Sequence, residues 1–556
     1  MVLKKKMAVM CATSAIAVMA LVGCSSTDGG SSSGGNGKEG KALEVLANKD
    51  ARQAIAMSLD RKGMCDTILN NGTIPASYFV AEKLAFNEAG KDYRELAGNM
   101  GYEHNDKEAT KLWEKAKEEV GFDKVTLELL TFDSETSKRT AEFMQSELQG
   151  ALPGLTVEIK TQPFKQKNDL ETKGEFELSY AAWNPDYPDP LTYLETMESG
   201  LQYAKHTNYK NENYDKLIEE AKNAESQDKS WEKYAEAEKL MLDDAYIVPT
   251  VQQGSSYLQK PYVSGRLTPS FGVNAIYNWV QLGEGKKELN ITNTSDISTL
   301  DISKVSDSVS SEVLMNTMEG LVKQDKDGKL APGVAEKWEK SEDGKSWTFH
   351  LRKNAKWSNG DPVTAKDFEY SWKRTLDPAT ASTYGFIMYD IVGAKDYNLG
   401  KTDNADKVGV KAVDEYTLKV DLVRPVHYFD SLMFHGSFLP QNKKAVEKFG
   451  DEYGTTADKM VYNGPFTLSN WKIEDMHTMS KNPNYWDASN VKIDKVNVKI
   501  VKDPNAALNL YETGSIDIAA LTSENVDKYK DSPEFKTRLT ASVTFFQING
   551  GKGASK

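Results

Sequence analysis

Apolar residues recur at helical spacing in Ala109, Leu112, Trp113, Ala116 and Val120, which form one stripe of an amphipathic helix. Asn105 or Asp106 can cap its start, and Gly121 stops it. Val125, Leu127 and Leu129 then alternate as a strand, and the neighbouring Leu130 points to burial on both faces. A second helix is predicted over about 138–149, with Ala141, Met144, Leu148 and Ala151 on its buried side. Pro153-Gly154 turns the chain into a strand at 155–159, and 176–183 makes another. This alternation predicts an α/β lobe with a largely parallel sheet. Two more amphipathic helices follow at about 212–223 and 230–245. The second half is richer in strands. Residues 347–351 alternate, and Thr364-Ala365-Lys366-Asp367 reads as a capping box before a helix carrying Phe368, Trp372 and Leu376.

Length allows three or four domains, or two large lobes, in 556 residues. An aromatic share of 10% supports real cores and excludes a disordered chain. A mean hydropathy of -0.57 excludes a polytopic membrane protein. The formal charge of -13 argues against nucleic acid as a partner. Three cysteines exclude a disulfide scaffold and a cysteine-based zinc site. The six histidines form no HExxH or zinc clamp, and no phosphate-binding GxxxxGK[ST] loop occurs. The sequence thus predicts no catalytic residue, no metal, no cofactor and no enzyme. Asp325-Lys326-Asp327-Gly328 lacks the other ligands of a calcium loop and reads as a β-turn.

The first residues combine Lys4, Lys5 and Lys6 with an apolar run from Met7 to Val22. Sixteen residues fall short of a bilayer span, so the run reads as a secretory signal. Leu21-Val22-Gly23-Cys24 resembles the lipobox of bacterial lipoproteins, which implies cleavage after residue 23 and diacylglycerol on Cys24. Residues 24–48 are then the lipidated cysteine and a linker, Gly/Ser-rich as far as Gly40. GxSxG and GxGxxG matches inside it lack the flanking strand and helix that would give them meaning.

Trp347 to Trp372, WTFHLRKNAKWSNGDPVTAKDFEYSW, carries a much more specific signal. With it stand Met318-Glu319-Gly320-Leu321, Leu376-Asp377-Pro378, Asn463-Gly464-Pro465-Phe466 and KNPNYWD at 481–487. Gly514-Ser515-Ile516-Asp517, Arg52-Gln53-Ala54-Ile55, Leu59-Asp60-Arg61 and WNPDYPDPLTY at 183–193 complete the set. These blocks resemble the peptide-type extracellular solute-binding proteins of family 5, the oligopeptide-binding lipoproteins of ABC importers. The resemblance implies an α/β, two-lobed periplasmic-binding-protein-like fold, class II of the cluster C type, with an extra domain on the first lobe.

The order of the blocks departs from the family. The family's late half, about 41–283, stands here before its early half, about 284–549, which looks like a circular permutation with the export signal left in front. On the resemblance, 49–260 is the second lobe, 261–316 with 461–549 the first lobe, and 317–460 the extra domain. Residues 550–556 form a tail. The new ends are expected to cut one of two chain crossings between lobes.

Site roles likewise come from the resemblance. Asp186, in a W-x-x-D-Y segment, is expected to hold a peptide's α-ammonium, with Trp183 and Tyr187 as pocket walls. Backbone at Ala182 and Asn184 would pair with the extended ligand. Ser306 to Ser308, Tyr384, Phe164 and Lys173 align with further cleft positions. Tyr180 stands near the place of a basic residue that would take the peptide carboxylate. The implied partners are an oligopeptide, ABC permease subunits and, through the lipid on Cys24, the outer face of the cell membrane, with the protein a monomer. A peptide-pheromone sensor, an adhesin, or a receptor for murein peptides, a metal chelate or haem are the alternatives.

Overall fold

The computed structural model describes residues 40–87 and 89–551, apart from the side chains of Phe164 and Lys165. The export signal, Cys24 and the Gly/Ser linker as far as residue 39 lie outside the described residues, as do residues 552–556 of the tail. The linker expected to run to residue 48 ends earlier, because Ala42–Ala47 forms a helix whose Val45 and Leu46 are buried in the core.

The first half of the chain contributes α1 (Lys49–Met57), β1 (Ile74–Pro75), α2 (Asp106–Val120), β2 (Val125–Phe132), α3 (Glu135–Ala151) and β3 (Leu155–Gln162). It continues with α4 (Phe164–Lys173), β4 (Leu178–Trp183), α5 (Glu212–Lys222), α6 (Gln227–Asp244) and β5 (Ile247–Gln259). The second half adds β6 (Glu288–Asn293), α7 (Ser308–Thr317), β7 (Ala335–Lys340), β8 (Ser346–Leu351), α8 (Ala365–Leu376), β9 (Val410–Asp414) and β10 (Thr417–Asp421). Last come β11 (Phe466–Lys472), β12 (Met476–Lys481), β13 (Lys495–Ile500), β14 (Ile518–Ala520) and β15 (Phe535–Ile548).

Local signals explain the helices. Asn105 caps α2 by accepting the Glu108 N–H at 3.1 Å, and Gly121 ends it at φ +79°, where a Cβ would be strained. Ala109, Trp113 and Ala116 are buried, and the Trp113 Nε1–H donates to the Pro153 carbonyl at 3.0 Å. At α8 the Asp367 carboxylate accepts the Thr364 N–H at 2.8 Å and hydroxyl at 3.0 Å, which closes the anticipated capping box. Asp325 to Lys329 makes a turn, with Gly328 at φ +79° donating to the Asp325 carbonyl at 3.0 Å. Among the described residues no group of three metal-ligating side chains forms.

Three sheets carry the fold. The largest has the order β1-β5-β15-β4-β2-β3, with β14 on the far end of β5. Its pairing corrects the expectation of a largely parallel sheet. Only β3, β2 and β4 run parallel, whereas β15 enters antiparallel between β4 and β5. The physical reason is that β15 comes from the distant end of the chain and not from a strand–helix–strand crossover. The second sheet, β11-β12-β13-β6, closes with a parallel β13–β6 pair, and the third, β7-β8-β10-β9, is antiparallel throughout. The fold is the two-lobed α/β class. Gly551 lies against Leu43, where an added Cβ would come within 3.3 Å of the Leu43 Cβ.

Candidate ligand-binding cleft

A cavity of about 1190 Å3 opens beside the end of β4. The register of β4 and β15 sets Ala182 opposite Thr544 and Trp183 opposite Val543. Asn549 donates to the Glu177 carbonyl at 3.0 Å, so odd-numbered residues of β4 exchange bonds with β15. Even-numbered residues turn their N–H and C=O groups to the other edge. There β2 pairs only with Leu178 and Ser179, and among the described residues no strand covers the edge from Tyr180 to Trp183. Ala181, Ala182, Trp183 and Asn184 line the cavity along this open edge.

Beyond Trp183 the chain turns through Pro185 and brings Asp186 to the cavity wall. The Asp186 N–H donates to Thr192 Oγ1 at 3.0 Å, and the Tyr384 hydroxyl donates to Asp186 Oδ1 at 3.5 Å. Burial pushes the Asp186 carboxyl up to about 6, only partly offset by the Tyr384 bond. Burial and the neighbouring Asp186 push the Tyr384 phenol up to about 12. Ser306, Asp307 and Ser308 line the wall where α7 begins. His435 is a further cavity residue whose burial lowers it to about 4, so it is neutral at physiological pH.

β15, the neighbouring strand of the sheet, lines the same cavity. Its pairing with β5 slips between Leu539 and Val543, a bulge that turns Thr540 and Ser542 into the cavity. Trp183 Nε1, Ser542 Oγ and Arg538 Nε are buried polar atoms without a hydrogen-bond partner among the described residues, and all three residues line the cavity. Buried donors of this kind need an acceptor, so the wall is built to meet something.

Five of the anticipated residues thus converge with Ser308: Asp186, Trp183, Ala182, Asn184 and Tyr384. Tyr187 does not join them. Its ring stacks on Tyr428 at 5.0 Å and its hydroxyl donates to Glu195 at 2.6 Å, which makes it a core residue. Lys173 is exposed at the end of α4 and does not line the cavity. Lys167 does so instead, buried and paired with Glu171 at 2.5 Å. Tyr180 turns to the other side of the sheet, where its hydroxyl meets Thr544 Oγ1 at 2.9 Å. The Phe164 side chain lies outside the described residues. Sequence reasoning missed Lys167, Glu171 and His206, although the i,i+4 Lys–Glu pair on α4 was a signal. Nothing local marked Arg538.

The model of the bacterial extracellular solute-binding proteins, family 5 Middle, matches residues 36–205 and 329–555. The chain belongs to this family. It is 40% identical over 265 residues to the dipeptide-binding protein DppE of Bacillus subtilis, covering 48% of each chain. To the oligopeptide-binding protein OppA of the same organism it is 39% identical over 279 residues, 48% of this chain and 51% of that one. Among solved structures, the substrate-binding domain of an oligopeptide ABC transporter from Bacillus anthracis is 48% identical, with a TM-score of 0.44 over 45% of this chain and 48% of that one. The chain spans about half the length of the curated relatives it matches.

Proposed function

We propose that this chain captures oligopeptides in the cleft beside β4 and delivers them to an ABC permease. One observation carries the reading: a half-buried carboxylate, Asp186, stands at the end of an open strand edge. An extended peptide can add to that edge through its main chain, while its ammonium donates a charge-assisted hydrogen bond to the carboxylate. Main-chain pairing does not read side chains, so many sequences are accommodated. Native mass spectrometry of protein purified from its own cells tests this. Co-purified masses should be those of short peptides, and a single non-peptide ligand would overturn the reading.

In the same reading the protein is held at the outer membrane face by lipid on Cys24. Lipid is needed because the apolar run of sixteen residues, interrupted by Thr13 and Ser14, is too short to span a bilayer. Cys24→Ser should move the protein from the detergent phase to the aqueous phase. Equal partition of both proteins would contradict lipidation.

We further read the two halves as circularly permuted, with 49–260 one lobe, 261–316 with 461–549 the other, and 317–460 an extra domain, corrected in that β15 of the 461–549 stretch pairs with β4 and β5 of the 49–260 lobe. The neighbouring positions of Leu43 and Gly551 support joined ends, and Glu284-Gly285, both at positive φ, supports a surface turn as the alternative opening. The expectation that permutation cuts an inter-lobe crossing needs correcting. β15 and β5 pair along most of their lengths, from Ile247–Gln547 to Leu258–Phe535, and the break falls only beyond Asn549. Both strands therefore keep their continuity. Joining residue 556 to Ala42 and opening the chain at Glu284 should leave peptide affinity within about twofold. A larger change in titration would show that the break does constrain closure.

A further inference from the structure

A seam outside the cavity joins residues of the 49–260 lobe to residues of the 317–460 domain. The Tyr187 ring lies flat on the Tyr428 ring, with 5.0 Å between centroids and 5° between planes, and both side chains are buried. Beside the stack, His427 Nε2–H donates to the Ala224 carbonyl at 3.0 Å and Arg424 Nη1 to the Lys222 carbonyl at 3.5 Å. Those carbonyls stand at the C-terminal end of α5, where helix carbonyls lack intrahelical partners and carry partial negative charge. Arg424 is aimed at them by its own domain, because its Nε and Nη2 donate to the two Asp390 oxygens at 2.8 Å and 2.6 Å. None of the residues that meet across the seam lines the cavity. The cavity nonetheless lies in the same joint, with Asp186 on its wall from the lobe and Tyr384, Phe386 and Phe434 from the domain. Opening that joint parts the two rings and breaks both hydrogen bonds.

We propose that the Tyr187–Tyr428 stack, with His427 and Arg424 at the end of α5, is a clasp that sets how long a captured ligand is held. This rests on the reading that the cleft binds peptides and that 317–460 is a separate domain. A ligand enters with the joint open and does not touch the clasp, so the clasp acts on release and not on encounter. The test uses purified full-length protein and the peptide Ala-Ala-Ala-Lys with dansyl on the lysine Nζ, which leaves the amino end free. Stopped-flow mixing reads association, and displacement by excess unlabelled tetra-alanine reads release. Small-angle scattering of the ligand-free proteins reads how far the joint opens.

Tyr428→Leu should speed release about two- to tenfold, the worth of an aromatic pair, and leave association within about twofold of the parent. Combined with Tyr187→Leu, the gain should be smaller than the product of the two single effects, because either change already removes the stack. Tyr428→Phe keeps the ring and should match the parent. His427→Ala leaves both rings in place and should still speed release. A release rate does not depend on the folded fraction, so a poorly folding variant does not blur the comparison. Without ligand, Tyr428→Leu should have a larger radius of gyration than the parent. Unchanged release in both Tyr428→Leu and His427→Ala overturns the clasp while leaving peptide binding in place. Association slowed as much as release is sped would show a distorted cleft and overturns it too. If the parent binds no probe, the peptide reading falls and scattering alone decides: an equal radius in parent and variant overturns the clasp, and a larger one in the variant upholds it.

Discussion

Asp186→Asn should weaken peptides with a free amino end by about 1.5–3 kcal/mol, roughly ten- to hundredfold. The asparagine keeps the shape and the Tyr384 contact but loses the charge that an ammonium requires. N-acetylated peptides should bind the parent about as poorly as free peptides bind the variant. Equal affinity for acetylated and free peptides would remove the assignment. A pH profile gives an independent readout. Because burial holds the carboxyl near 6, parent affinity should fall about tenfold per pH unit below that value, while the variant stays flat. Stability should move the opposite way. The folded chain holds the Asp186 proton more tightly than the unfolded chain, whose carboxyl titrates near 3.8. Ionisation therefore subtracts stability as pH rises from about 4 to 6, and the full subtraction persists above 6. Without ligand, Asp186→Asn should melt above the parent at pH 8, and the gap should close towards pH 4. A variant that melts lower at pH 8 would show that the carboxylate is a structural cap and not a strained binding group.

Much of this was legible wherever the signal was local. α2 was written in a cap at Asn105, a stripe through Trp113 and a stop at Gly121, all within one segment. The mixed character of the large sheet was not, because β15 pairs with strands that lie hundreds of residues away in sequence. The site shows the same division. Asp186 followed from the resemblance, and its place at the cavity follows from the turn after β4. Lys173 was misplaced by helix phase. Residues 167 and 171, four apart, share the face of α4 turned to the sheet, whereas 173 is rotated about 240° from 167 and reaches solvent. Tyr187 was misplaced because strand alternation ends at Trp183, and the prolines at 185 and 188 send its ring to Tyr428. Arg538 was invisible, since its exposure to the cavity belongs to a strand whose neighbours no local pattern reveals.

Glu171→Ala should be the most damaging single change in the cleft wall, at about 3–5 kcal/mol. One carboxylate oxygen accepts Lys167 Nζ at 2.5 Å, Ser179 Oγ at 2.6 Å and Gln547 Nε2 at 2.8 Å. Those donors come from α4, β4 and β15, so Glu171 ties the helix to both strands beside the open edge. Removing it leaves a buried ammonium without a counter-charge. Burial already pulls Lys167 down from the usual lysine range, and the loss of Glu171 removes the groups that oppose this. In the variant the unfolded chain then holds the Lys167 proton more tightly than the folded chain does, so stability rises with pH. Denaturant unfolding should show the deficit largest near pH 6 and shrinking towards pH 10. Replacing both partners, Lys167→Met with Glu171→Leu, should cost less than Glu171→Ala alone, since no charge is stranded. A double variant as unstable as the single one would mean that packing and not charge governs the site. With the pair intact, Lys167 is neutralised at this wall and offers no net charge to a ligand.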